Sequence, residues 1–182
     1  MAGRGRPRAP VSIVDAVSPA NDLLTLELNH RQLTAVTVDA QSVLRWCAQY
    51  GLIHNQLQCE HCDIPMSLQA RTGVEYLNEY CWACRQCQRH RSVTRDSFFD
   101  GAHLTLRQLV DCIYFWSRET KLADACVETG MSAKSMVDWR NFIRDVCCQF
   151  LVDHPVQLGG PGRTVEIDES KFMHRKYQRP IP

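Results

Sequence analysis

The chain has 182 residues, 45% hydrophobic and 23% charged, with 21 Lys plus Arg against 20 Asp plus Glu, a formal net charge of +1. That suffices for one or two domains with a core, while the longest apolar runs, such as residues 112–116, fall far short of the roughly 20 residues of a spanning helix. A soluble chain with no membrane partner is expected.

At the amino terminus, Ser12 and Asp15 interrupt residues 11–17, so no secretory core is formed. Ten cysteines without such a signal fit a reducing compartment, where thiols bind metal or pack in cores. Residues 1–38 are read as a basic, partly disordered arm. Arg4, Arg6 and Arg8 lie among Gly and Pro, which offer little apolar area to offset chain entropy. Such an arm is either a solvated tail or a phosphate or minor-groove contact.

Residues 39–100 are read as a leading helix and a zinc ribbon. Asp39 is the expected N-cap, Val43, Leu44, Trp46, Cys47 and Tyr50 form an apolar helical face, and Gly51 follows the end. Then come Cys59-x-x-Cys62 and Cys84-x-x-Cys87. Two such pairs joined by a hairpin-length insert point to four thiolates on one structural Zn²⁺, against the alternative of buried thiols or disulfides. Cys81-x-x-Cys84 has the same spacing, so Cys81 competes as a ligand, with His61 and His90 as further possibilities. The preferred set is Cys59, Cys62, Cys84 and Cys87, the second pair on a strand beginning at Trp82. Arg85, Arg89, Arg91 and Arg95 follow, with no acid until Asp96. A one-signed row beside a metal-fixed knuckle suits DNA phosphates; the plainer alternative is a solvated strand.

Residues 101–158 are read as a helix-turn-helix unit. Thr105-x-x-Gln108 is a capping box, and Leu106, Leu109, Val110, Ile113 and Tyr114 fall on one face. A short helix over residues 121–129, a turn at Gly130 and a third helix from a Ser132 cap to about Val152 should follow. Met136, Trp139, Ile143 and Val146 are expected to be buried, with Cys112, Cys126, Cys147 and Cys148 in packing roles. Short helix, turn and long helix fit either a helix-turn-helix, with Lys134, Ser135 and Asn141 toward a major groove, or plain three-helix packing. The Gly-rich residues 159–163 are read as a linker before a strand bearing Glu166 and Asp168, in which carboxylates could hold Mg²⁺.

The order of these motifs, from Cys-Glu-His-Cys and Trp-Ala-Cys-Arg-Gln-Cys to Val-Glu-Ile-Asp-Glu-Ser-Lys-Phe, resembles the Merlin superfamily of DDE transposases and related bacterial insertion-sequence transposases. The likeness covers residues 40–179. It implies a zinc ribbon and helix-turn-helix that bind double-stranded DNA at terminal inverted repeats, then a ribonuclease-H-like domain whose first catalytic carboxylate matches Asp168. Three such acids would hold the two Mg²⁺ ions of strand cutting and joining. The family pattern continues beyond Arg179, whereas this chain reads Pro-Ile-Pro. The expected fold class is therefore mixed α and β: ribbon, helical domain and only the first strand of the catalytic domain, with Asp168 inert and Mg²⁺ relevant only to a complete domain. The alternatives are a transposase subunit completed by a longer isoform or another chain, or a zinc-stapled interaction adaptor. A homo-oligomer or a longer transposase-related chain is an expected partner, in the nucleus of a eukaryote or otherwise the cytoplasm.

Overall fold

The computed structural model describes residues 11–19, 22–23, 25–73, 76–155 and 159–166. Among them are five helices and one small antiparallel sheet, in the order α1 (His30–Val36), α2 (Ala40–Gln49), β1 (Ser67–Ala70), β2 (Tyr80–Ala83), β3 (His90–Ser92), α3 (Leu106–Ser117), α4 (Leu122–Thr129) and α5 (Ala133–Asp153). The protein is thus mixed α and β. None of the helices among the described residues is long and apolar enough to cross a membrane. Two compact units divide the chain, Met1–Phe142 and Ile143–Pro182.

Capping chemistry sets the helix starts. Asp39 accepts from the Ser42 amide at 2.7 Å and opens α2. Thr105 and Gln108 form the reciprocal box that opens α3, each side chain taking the other's backbone amide at 3.2 and 3.1 Å. The Ser132 hydroxyl takes the Ser135 amide at 3.1 Å. Gly130 ends α4 with φ of +67°, a left-handed conformation that glycine adopts without a Cβ penalty.

α1 lies inside residues 1–38, the stretch read from the sequence as an arm. Asn29 and Gln32 cap it reciprocally, and His30 packs against Tyr114 and Phe115 of α3 at centroid distances of 5.7 and 4.9 Å. His30 thereby packs against Phe115, and Asp111 and Cys112 are buried too, with Leu106, Leu109 and Val110.

The first unit's core joins Leu33 of α1, Val43, Leu44 and Cys47 of α2, Met66 just before β1, Trp82 of β2, and Leu106 and Leu109 of α3. The burial of Cys47 raises its thiol pKa to about 12, which fits a packing residue rather than a reactive or ligating one. Strand order is β1-β2-β3. Ser67 faces Ala83, while Cys81, Trp82 and Ala83 face Ser92, Arg91 and His90. The middle strand is therefore buried on both faces.

Helical periodicity overreaches along α5. Met136 and Ile143 are buried, and Trp139 is partly so against Phe98 and Phe99. Val146, however, is 53% exposed, and Cys147 and Cys148 are exposed as well. Of the expected packing cysteines, only Cys112 is buried, 3.4 Å from the Met136 sulfur, and Cys126 is half-buried. Spacing identifies an apolar face but not whether another element covers it. Residues 159–163, read as a linker, lie within the second unit and make a tight turn, the Arg163 amide donating to Gly160 O at 3.0 Å. A Cβ at Gly159, where φ is +84°, would meet Val165 Cγ2 at 2.7 Å. The expected strand around Asp168 lies outside the described residues.

Candidate metal centre

Two loops with the same backbone pattern carry the four cysteines. In the first, the Cys59 amide donates to Ile64 O at 2.9 Å and the Asp63 amide to Cys59 O at 2.8 Å. In the second, the Cys84 amide donates to Arg89 O at 2.9 Å and the Gln88 amide to Cys84 O at 3.0 Å. The residue four after each leading cysteine is left-handed, with φ of 50° at Asp63 and 58° at Gln88. These conformations cost non-glycine residues of the order of 1 kcal/mol. Their repetition shows two copies of one knuckle. Cys84 and Cys87 therefore lie past the end of β2, rather than on a strand as expected.

The knuckles bring the sulfurs of Cys59, Cys62, Cys84 and Cys87 within 4.8 Å of one another, with Cys59 and Cys87 3.6 Å apart. A tetrahedron with metal–sulfur bonds of about 2.3 Å has edges of about 3.8 Å, so the cluster fits a four-coordinate thiophilic ion. A disulfide needs about 2.05 Å, and all ten cysteines are free. The Cys87 amide donates toward the Cys84 sulfur at 3.5 Å. That donor, assisted by the Gln86 amide, lowers the Cys84 pKa to about 6, whereas desolvation and the neighbouring sulfurs of Cys87 and Cys84 raise Cys62 to about 12. One thiolate is stabilised by the backbone, and its charge opposes ionisation of the next. A divalent cation removes that conflict, because it lets all four thiols ionise together.

Cys81, the rival ligand, is buried in β2 opposite Gln69 and Ser92 and does not join the cluster. His61 and His90 do not join it either.

The arginine row is less one-signed in space than in sequence. Glu60, between the first two cysteines, pairs with Arg91 at 3.2 Å and Arg95 at 3.5 Å. The Arg91 hydrogen bond is the main reason the Glu60 pKa is lowered. Arg95 also lies 3.2 Å from Asp96 and 3.8 Å from Asp100. Arg85 and Arg89, on the second knuckle, have no ion pair among the described residues. The distance in sequence between Glu60 and its arginines hid this pairing. Of the residues expected on the third helix, Lys134 and Asn141 are exposed, while the Ser135 hydroxyl lies 2.9 Å from the Ser132 hydroxyl within the helix cap. Asp168 lies outside the described residues.

No protein-family model and no solved structure matches the chain. It is similar to male abnormal protein mab-31 of Caenorhabditis elegans, at 24% identity over 181 residues, with 90% of this chain aligned. The chain spans about 42% of that relative's length.

Proposed function

We propose that this chain is a DNA-binding, transposase-derived protein of Merlin type, in which a zinc ribbon and a helix-turn-helix recognise double-stranded DNA at terminal inverted repeats. The observation that carries the reading is the second knuckle. It joins two of four converging thiols to Arg85 and Arg89, cations without an acid partner among the described residues. Zn²⁺ held by Cys59, Cys62, Cys84 and Cys87 would fix the knuckles and supply no reaction chemistry. Arg85 and Arg89 then serve as phosphate contacts that release counterions.

The α4–Gly130–α5 sequence supplies the helix-turn-helix of this reading, with Lys134 exposed on the first turn of the second helix. Ser135 is assigned to capping and orienting that turn, and Asn141 to the same helix's DNA-facing side. Arg91 and Arg95 become contacts only in competition with Glu60. Asp168 occupies the family's catalytic position, and no strand-cutting chemistry is assigned to it here.

Fluorescence anisotropy with inverted-repeat and scrambled duplexes tests the reading. Tighter binding to the repeat, lost in Lys134→Ala, is expected. Equal binding to every duplex, unchanged in both Lys134→Ala and Arg85→Ala, contradicts specific recognition.

A further inference from the structure

A recess of about 410 Å³ lies beside the sheet, on the segment joining β1 to β2, on β3 and on the loop before α3. Its size is within the roughly 300–1,000 Å³ of small-ligand clefts. Two aromatic rings, Tyr76 and Tyr80, line it with His90, Arg91, Asn78 and His103. Its polar atoms are already oriented. Arg71 Nη2 lies 3.1 Å from His90 Nε2. A guanidinium can only donate, so Nε2 accepts and Nδ1 is left as the donor. Asn78 Oδ1 takes the Leu106 amide at 2.7 Å, which leaves its amide nitrogen as a donor. The residues lining the recess thus include two aromatic rings, side chains that retain N–H donors, and one carboxylate, Asp100, already within 3.8 Å of Arg95.

We propose that this recess binds a single unstacked nucleotide, its base against Tyr76 or Tyr80 and its phosphate toward His103 and Arg91. Planar rings stack on aromatic side chains without regard to base identity, and phosphate oxygens need donors rather than acceptors. The proposal rests on the DNA reading for the source of the nucleotide, an unpaired position in an otherwise duplex site, but its chemistry is shared with a free mononucleotide. Arg91 donates through Nη2 to Glu60 and through Nη1 to the His90 carbonyl, so a phosphate beside it competes with both contacts and His103 carries the larger share.

Two arms test it on the full zinc-loaded chain. In the first, deoxyadenosine monophosphate is titrated while the ring protons of His90 and His103 are followed by NMR, with inorganic phosphate as control. Saturable shifts stronger with the nucleotide than with phosphate are expected, and absence of any shift overturns the site. In the second, a duplex with one unpaired adenine is compared with its fully paired counterpart. A preference of about tenfold for the unpaired form, lost in Tyr76→Ala and in His103→Ala while paired-duplex affinity persists, supports the proposal. Equal affinity for both duplexes overturns the nucleotide's DNA origin. Binding of mononucleotide without binding of any duplex upholds the recess and overturns the DNA reading instead.

Discussion

Cysteine identity decides the metal centre one sulfur at a time. Cys59→Ser and Cys87→Ser are expected to lose Zn²⁺ and melt the knuckles, because each removes an anionic ligand from a four-thiol set. Cys81→Ser, in β2 and outside that set, is expected to keep one Zn²⁺ per chain by elemental analysis. Full metal retention in Cys84→Ser would show that the wrong second pair has been assigned. Asp111 offers a separate prediction. Its Oδ1 is buried without a hydrogen bond, and Arg107 lies 3.9 Å from Oδ2. Desolvation raises its pKa, with Arg107 and then His30 opposing. A carboxyl with a folded-state pKa above its unfolded value opposes folding while ionised, and that opposition fades as pH falls through the folded value. Asp111→Asn is expected to stabilise the protein at pH 7 by about 1 kcal/mol in urea denaturation. The gain should shrink as pH approaches the unfolded-state value of 3.8; a gain independent of pH would contradict the assignment.

At the scale of elements, legibility followed locality. The Asp39 and Thr105 caps, the Gly130 turn and the doubled cysteine spacing could be read because each is specified within a few residues. α1 carried an equally local signal, Asn29-x-x-Gln32, but it is only seven residues long and follows a basic segment, so its periodicity was faint. Two features depend on distant chain and could not be read, the Glu60–Arg91 pairing and the exposure of Val146; a third, the placing of Cys84 and Cys87 on a turn past β2 rather than on a strand, is local but carries no glycine signal. That turn uses Gln88, as the first knuckle uses Asp63, in a left-handed position where glycine is the usual signal. Gly130→Ala tests the turn. Open space surrounds the added methyl, so the expected loss of about 1 kcal/mol comes from the left-handed backbone alone. Thermal denaturation measures it, and an unchanged midpoint would remove the turn's conformational requirement.

At the scale of the whole molecule, a net charge of +1 favours no nucleic acid partner by itself, so affinity must come from where the cations stand. Glu60 holds two of them. Glu60→Gln is expected to tighten DNA binding about fivefold at low salt and to steepen its salt dependence, since Arg91 loses its acid partner and becomes available to phosphates while Arg95 keeps Asp96 and Asp100; unchanged affinity would show that Arg91 does not meet DNA. The most direct measurement is the salt dependence of duplex binding by the zinc-loaded chain, the chelated chain and the Arg85→Ala/Arg89→Ala variant. Zinc-dependent binding is expected, with log K falling linearly against log salt and a slope shallower by about two in the double variant. Absence of duplex binding by the zinc-loaded chain at low salt, or binding indifferent to zinc and to both arginines, would contradict the DNA-reading role.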